Sequence, residues 1–294
     1  MKMRKKAGLT GGIYIIISAV LFGVMPLMTR IVFAHGANGY TAAFFRYAFG
    51  SVVLWALICS DRSKSRLLRI SRRQMASAAI FSLFYSMLLV SLFLAYSYID
   101  TGLATALHFT YPAIVIVLNL VVFRSFPAKR EIVSLCLAIA GVFLMNAYGG
   151  AADAKGMAFA ILSGVSLALF VVFFEHNSLK DLPTVIATFW ISLLAAAVIG
   201  AFITITGNWQ LPADAIGWAM MVVLAISTGV VAFVCFQKGI KTCGGVMASI
   251  LSMLEPVISL FIGWSVFHEK MSAASVLAVV CILCSATVLL AKPE

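Results

Sequence analysis

Residues 247–270 read MASILSMLEPVISLFIGWSVFHEK, and this stretch decides the fold. It is a long apolar segment that is interrupted near its midpoint by Glu255 and Pro256. A carboxyl group and a proline are both costly in hydrocarbon, so a lipid-facing position is disfavoured for this pair. The stretch therefore predicts a membrane helix that is broken beside a protein-lined cavity.

An earlier stretch repeats this design. Residues 103–123 read LATALHFTYPAIVIVLNLVVF, with Tyr111-Pro112 at the depth where the later stretch has Glu255-Pro256. A shift of about 144 positions also aligns two other pairs of segments. The aligned segments are 19–32 with 164–177, 104–123 with 248–267, and 135–147 with 278–290. The chain therefore contains an internal duplication.

The composition indicates an integral membrane protein. Of the 294 residues, 63% are hydrophobic and only 11% are charged, whereas about a quarter are charged in a soluble domain. The net charge of +11 would suggest a nucleic-acid partner in a soluble protein. Here the cations lie in short loops between apolar runs, so we expect no nucleic acid and a lipid bilayer as the environment.

The apolar runs predict an all-α polytopic membrane protein with ten transmembrane helices, each of about 20 residues. The first repeat is expected over 1–150 and the second over 151–294, with five helices each. Because five is odd, the second repeat begins on the opposite side of the membrane, and the halves are predicted to be inverted repeats. The predicted helices are 12–34, 40–59, 75–97, 102–123, 131–148, 156–175, 184–205, 215–237, 245–267 and 273–291.

Lysine and arginine placement predicts the orientation. With a cytoplasmic N-terminus, seventeen of the twenty-one cations fall on the cytoplasmic side. Positive charge is retained on that side of bacterial membranes. Both termini are therefore expected in the cytoplasm.

Several short motifs together resemble the EamA family of the drug/metabolite transporter superfamily. They are the proline in the fourth span of each half, the arginine in FFRYAFGSVVLWAL (44–57), and the sequel FHEKMS (267–272). The resemblance implies a bacterial inner-membrane carrier that exports amino acids or other small metabolites; some relatives move nucleotide sugars or sugar phosphates. The first half has FRSFPAKRE (123–131) in place of FHEKMS, which weakens any role for Glu269 by symmetry.

Glu255 is the sharpest candidate for a functional group. A charge at mid-span costs about 2.5–3.5 kcal/mol on the insertion scale, so such residues mark substrate or ion pathways. Glu255 could contact a substrate amine or carry a proton, or it could be a protonated carboxyl at a broken helix. Pro112 and Pro256 are the predicted helix breaks, because a proline lacks the N–H that continues the ladder.

His108 and Ser252 lie one turn before the two proline pairs. His108 shares a helix face with Tyr111, as Ser252 does with Glu255, and both faces are predicted to meet in one cavity. His108 could bind a carboxylate, or it could form a hydrogen bond between helices. Tyr111 is expected to form part of the cavity wall.

The first two spans supply further candidates. Pro26 is predicted to kink the first span and could form a gate, or it could be a packing feature. Arg30 and Arg46 lie towards the outer ends of their spans, where snorkelling to the interface is the simpler explanation for both. A substrate-carboxylate contact is the alternative role for Arg30.

These features predict a secondary active transporter that exports a small polar metabolite, such as an amino acid, by alternating access around a midplane cavity. A proton gradient is the expected energy source. The alternatives are an uncoupled facilitator or exchanger of metabolites, of the nucleotide-sugar or sugar-phosphate type, and, with less support, a membrane-embedded sensor or enzyme. No cofactor and no metal are expected, because the chain has no phosphate-binding loop and no metal-ligand spacing.

The oligomeric state is left open by the sequence. Ser259/Gly263 and Ala225/Gly229 are pairs of small residues one helical turn apart. Such pairs bring membrane helices into close contact, either within a subunit or between subunits.

Overall fold

The computed structural model describes residues 2–61, 66–96, 98–99, 101–145, 153–267 and 272–290. Across these ranges the chain is helical and contains no β-strand. The helices are α1 (Lys2–Ala34), α2 (Gly39–Cys59), α3 (Arg72–Tyr96), α4 (Thr101–His108), α5 (Tyr111–Phe123), α6 (Lys129–Met145), α7 (Ala154–Glu175), α8 (Thr184–Thr206), α9 (Ala215–Leu224), α10 (Phe233–Cys243), α11 (Gly245–Ser252), α12 (Glu255–Phe267) and α13 (Ala273–Leu290). A π-helical segment, Ala225–Ala232, joins α9 to α10, and Arg66–Leu68 and Ser178–Asp181 form short 3₁₀ turns.

Nine segments within the described ranges are long and apolar enough to cross a membrane, with a mean hydropathy of 1.7 to 2.6. The remaining predicted span, 131–148, corresponds to α6, which is described over 17 residues and ends at Met145. Its last predicted residues lie outside the described part of the chain. The all-α polytopic fold predicted from the apolar runs is therefore confirmed, with a span count consistent with ten.

The two halves of the chain interlock. Helix α1, the first of its half, packs against α10, α11 and α12 of the other half. Helix α7, which opens the second half, packs in the same way against α3, α4 and α5. If each helix is replaced by its equivalent in the other half, the contacts of α1 therefore become those of α7, and those of α7 become those of α1.

Helices α6 and α13 show that this exchange inverts the chain direction. The Ser285 hydroxyl donates to the Ser134 carbonyl over 2.6 Å. At the other end of the contact, a Cβ placed on Gly141 would lie 2.8 Å from the Ala278 carbonyl oxygen. The N-terminal part of α6 therefore lies against the C-terminal part of α13, and the C-terminal part of α6 against the N-terminal part of α13. These equivalent helices are antiparallel. A pseudo-twofold axis that relates antiparallel membrane helices lies in the membrane plane, as inverted repeats require.

Helices α2 and α8 form the second pair of equivalent helices in mutual contact. Gly200 lies against the Phe44 ring, while Leu54 and Ile58 pack with Ile186 and Phe189 near the other end. This pairing is again antiparallel. A continuous apolar cluster fills the interior of the bundle, with contributions from α2, α3, α7 and α10 that include Tyr47, Phe81, Phe170, Phe174 and Phe233.

Candidate functional site

Both proline-containing spans are broken at equivalent positions. Helix α4 ends at His108 and α5 begins at Tyr111, whereas α11 ends at Ser252 and α12 begins at Glu255. Each break is therefore displaced by 144 positions from the other, the offset seen in the sequence. The prolines occupy the second position of α5 and α12, where the missing N–H costs no intrahelical bond.

Tight turns close the two gaps. The Thr110 N–H donates to the Leu107 carbonyl over 3.2 Å, and the Leu254 N–H donates to the Leu251 carbonyl over 3.1 Å. These are bonds to the third preceding residue, of the kind that tightens a helix end. The breaks leave backbone polar groups within the bundle, where they are shielded from lipid.

The two breaks meet in the interior of the protein. The Tyr111 hydroxyl donates to the carbonyl of Ser249 in α11 over 3.2 Å. Tyr111 and Ser252 are each 1% exposed, and the Ser252 hydroxyl donates back to the Ala248 carbonyl. The structure therefore brings Tyr111, Ser252 and the start of α12 together.

Glu255 is the first residue of α12 and is half-buried. Its carboxyl lies within electrostatic range of Arg46, Tyr85 and Tyr111. A carboxylate in the first turn also faces the positive end of the α12 dipole. The group is thus held at the break, within range of a buried cation and two phenols.

Helix α1 forms one wall beside Glu255. A Cβ on Gly23 would lie 2.9 Å from the Glu255 carbonyl oxygen and 2.5 Å from Cβ of Ile258. The Ser259 hydroxyl donates to the Gly23 carbonyl over 2.9 Å. Glycine is required at this crossing because no other side chain leaves room for the backbones to approach. The small residue Ser259 therefore packs within the subunit.

Arg46 does not snorkel to the interface, and that part of the prediction is wrong. The side chain is 4% exposed, and its Nη2 donates to the Tyr85 hydroxyl over 3.2 Å. Tyr85 lies near the centre of α3, so the guanidinium sits deep in the bundle. The rings of Phe22, Tyr47 and Tyr85 lie 5.4, 5.4 and 6.0 Å from the guanidinium carbon, where their π faces stabilise a cation.

Arg46 is also the residue that the sequence argument missed as part of the site. Its place towards one end of α2 suggested a position at the membrane interface. In the structure the side chain instead contacts Tyr85 of the facing helix α3. A signal was available in the chain. An arginine flanked by Phe45 and Tyr47, seven residues inside an apolar span, lies about 10 Å from the helix end at 1.5 Å per residue.

His108 is held by a contact between helices. Its Nδ1 lies 2.9 Å from the Ser163 hydroxyl of α7, and that hydroxyl donates to the Ala160 carbonyl over 2.6 Å. The imidazole Nδ1–H is therefore the donor to Ser163. The ring lies 5.8 Å from that of Tyr111, so His108 borders the region where the breaks meet.

Arg30 and Pro26 lie on exposed positions of α1. Arg30 is two helical turns beyond Gly23 towards the C-terminal end of α1 and is not among the residues that act on the Glu255 carboxyl. Helix α1 continues through Pro26 from Lys2 to Ala34. The carboxylate-binding role of Arg30 and the gating role of Pro26 remain predictions.

A π-helical segment lies against Arg46. A Cβ on Gly229 would be 2.6 Å from the Arg46 carbonyl oxygen, and Gly50 faces Gly229 and Ala225 across the same contact. The pair Ala225/Gly229 thus packs against α2 within the subunit. Single π turns inside α-helices are frequent at functional sites.

Hydrogen bonds hold the half-helix α11 at one end of the bundle and two loops at the other end. The Gly245 N–H at the start of α11 donates to the Glu175 carboxylate over 2.7 Å, which places a negative charge at a helix N-terminus. On the opposite side, His35 Nδ1 lies 2.7 Å from Asp214 Oδ2, and the Ala213 N–H donates to the His35 carbonyl. The Gly217 N–H and the His35 imidazole hold the pKa of Asp214 below its usual range.

An apolar groove of about 550 Å³ lies between α2 and α8. Val52 and Leu193 on its walls are exposed, and Trp209 closes one end. The groove contains none of the residues that meet at the helix breaks, so we assign it to the lipid-facing surface.

Residues 268–271, which follow α12 and include Glu269, lie outside the described residues.

Comparisons with known proteins agree with this architecture. The model of the EamA-like transporter family matches residues 9–147 and again residues 154–291. An uncharacterized transporter from Archaeoglobus fulgidus is 26% identical over 261 residues, which cover 88% of each chain. An uncharacterized transporter from Synechocystis sp. is 27% identical over 203 residues, covering 65% of this chain and 59% of the relative.

A protein with a solved crystal structure has the same fold. It superimposes with a TM-score of 0.79 over 97% of this chain and 98% of the other, at 19% sequence identity. The family model covers both halves of the chain, and the helix breaks lie at equivalent positions within the two matched ranges. The chain therefore belongs to the EamA-like transporter family.

Proposed function

We propose that this protein is a secondary active transporter that exports small polar metabolites, such as amino acids, by alternating access. The observation that carries the proposal is the meeting of two broken helices, one from each inverted half, beside the Glu255 carboxyl. In membrane carriers, solute and ion sites lie where discontinuous helices of the two repeats meet.

Glu255 is the proposed proton carrier. It is the carboxyl at the junction of the breaks, and it lies within electrostatic range of Arg46. Protonation would remove its attraction to that cation, so the charge state of Glu255 would couple to the arrangement of the helices around it. We further propose a bacterial inner-membrane location with both termini cytoplasmic, supported by the distribution of lysine and arginine. The division into repeats at residue 150 belongs to the same proposal.

Transport in liposomes tests the proposal. The full chain is reconstituted and offered amino acids, sugar phosphates and nucleotide sugars, with and without a pH gradient. We expect the gradient to drive an amino acid in the wild type, and Glu255→Gln to lower the driven rate about tenfold or more, as the loss of a charge-assisted contact predicts. Full rate and unchanged pH dependence in the variant would show that Glu255 is not the coupling residue.

Glu131→Gln is the matched control. Glu131 accepts the Ala128 N–H over 2.8 Å at the start of α6, and glutamine keeps that acceptor while removing the charge. We expect wild-type transport from it. Exchange in the wild type that proceeds equally without a pH gradient would favour an uncoupled exchanger.

A further inference from the structure

The hydrogen bonding of Arg46 is incomplete. A guanidinium carries five N–H donors and no acceptor. Nη2 donates to Tyr85, Nη1 donates to the Met25 sulfur over 3.4 Å, and Nε has no partner. A thioether is a weak acceptor, and a buried cation without an anion is costly. The surroundings of Arg46 therefore lack an anionic oxygen that its geometry could bind.

The Glu255 carboxyl does not supply this anionic oxygen. It is within electrostatic range of Arg46, yet in the described part of the chain the two side chains form no direct hydrogen bond or ion pair. Arg46 reaches the site from α2 and Glu255 from α12, so one charge comes from each half. A solute that carries both charges could contact both residues at once.

We propose that Arg46 binds the anionic group of the transported solute, so that Arg46 and Glu255 together select a zwitterion. The solute carboxylate replaces Met25 on the guanidinium, and its ammonium faces Glu255. A carboxylate matches the planar fork of arginine, whereas a phenol and a thioether each occupy only one donor. This inference rests on the proposed transport function.

Access to Arg46 depends on α1. Phe22 covers the guanidinium and Met25 accepts from it, and both belong to α1. Met25 directly precedes Pro26, whose missing N–H leaves a backbone carbonyl unbonded one turn earlier. A shift of α1 that withdraws Met25 would uncover the guanidinium, which lies within electrostatic range of Glu255.

Ligand-dependent thermal stabilisation of the purified full chain tests the inference. Each L-amino acid is compared with its own carboxamide, which keeps the ammonium but has no carboxylate. We expect the wild type to bind the strongest-binding amino acid at least about tenfold more tightly than its amide, and Arg46→Gln to bind the two within about twofold. Lys155→Gln, an exposed cation on α7, is the matched control and is expected to keep the wild-type ratio.

The ratio separates recognition from structure. If Arg46 only joined α1, α2 and α3, its loss would weaken binding of the acid and the amide equally, and an unchanged ratio in Arg46→Gln would overturn the inference. Equal binding of acid and amide by the wild type would also overturn it. Failure of all amino acids to stabilise the wild type would do the same, whereas transport of another solute through Glu255 would leave the proposed function standing.

A second variant covers the case in which Arg46→Gln does not fold. Arg46→Lys keeps the charge but replaces the fork with a single ammonium. We expect it to keep a preference for the acid that is several-fold smaller than in the wild type. A preference equal to the wild type would contradict recognition by the fork.

Discussion

His108 and Arg46 are both buried in the bundle, but their hydrogen bonding differs. The imidazole Nδ1–H donates to Ser163, whose hydroxyl is itself committed to a carbonyl. The guanidinium retains an unbonded Nε. Nδ1 of His108 is therefore engaged in a contact between helices, whereas Nε of Arg46 lacks an acceptor. The bond to Ser163 makes His108 part of the packing between α4 and α7, and its role as a ligand for a solute carboxylate remains a prediction.

We predict that Ser163→Ala destabilises the protein. It leaves the buried imidazole N–H without a partner, which costs about 1–3 kcal/mol. The free energy of unfolding in detergent, measured by thermal or denaturant unfolding, checks this. Ser265→Ala is the control, because that exposed hydroxyl bonds only to the Phe261 carbonyl one turn earlier. Equal stability of the two variants would contradict the structural role of His108.

The candidate residues differ in how far the sequence could predict their positions. Glu255, Ser252, Tyr111 and His108 sit at fixed offsets from two prolines, and a proline constrains the backbone wherever the helix lies. Their grouping followed from the duplication alone. The placement of Arg46 depends on which face of α2 meets α3. The depth of Arg46 in its span argued against the interface, but the side chains that face it are a property of tertiary packing, which the sequence does not report.

At the scale of helices, the π-helical segment Ala225–Ala232 was not predicted. Its residues, AISTGVVA, are compatible with an ordinary α-helical span, and the wider turn is visible only from its bonding. Ten spans were predicted, and the nine that the described residues contain, like the two breaks, follow from segment length and proline position. A local change of helical pitch leaves no comparable periodic signal.

We predict that Gly229→Ala disturbs the contact between the π-helical segment and α2. The added Cβ would lie 2.6 Å from the Arg46 carbonyl oxygen, so the backbones must separate. Overpacking of this kind costs about 1–3 kcal/mol. Gly50→Ala is matched to it on the facing helix, where the nearest atoms are 3.7 Å away. Thermal unfolding is expected to separate the two variants, and equal unfolding temperatures would contradict the close approach.

At the scale of the whole molecule, the loops on the proposed outer face join the two halves. His35 follows α1 and Asp214 precedes α9, and they meet at 2.7 Å. The Asn38 side chain adds a bond to the Asn208 carbonyl over 2.8 Å. Opening of that face would require these bonds to break, so they favour its closed arrangement.

We predict that the contribution of Asp214 to stability is lost in acid. Its pKa is lowered in the folded protein, so its stabilisation is present above the unfolded value of about 3.9 and disappears as the pH falls through the folded value. Asp214→Asn keeps an oxygen for the Gly217 N–H but not the charge. We expect it to unfold at a lower temperature than the wild type at pH 6, and we expect this difference to shrink as the pH falls below about 3.9. A difference that stays constant as the pH falls below that value would contradict this assignment.

The antiparallel contacts of α2 with α8 and of α6 with α13 have a consequence for motion. Exchanging the conformations of the two halves converts a state open to one side into a state open to the other. Under the proposed alternating access, the same exchange replaces the contact of α3 with α7 by that of α10 with α1, so the geometries of these two contacts would alternate during the cycle. It returns the pairs α2–α8 and α6–α13 to themselves. In the proposed cycle the contacts within these two pairs are therefore the same in both end states, and the other helices would move relative to them.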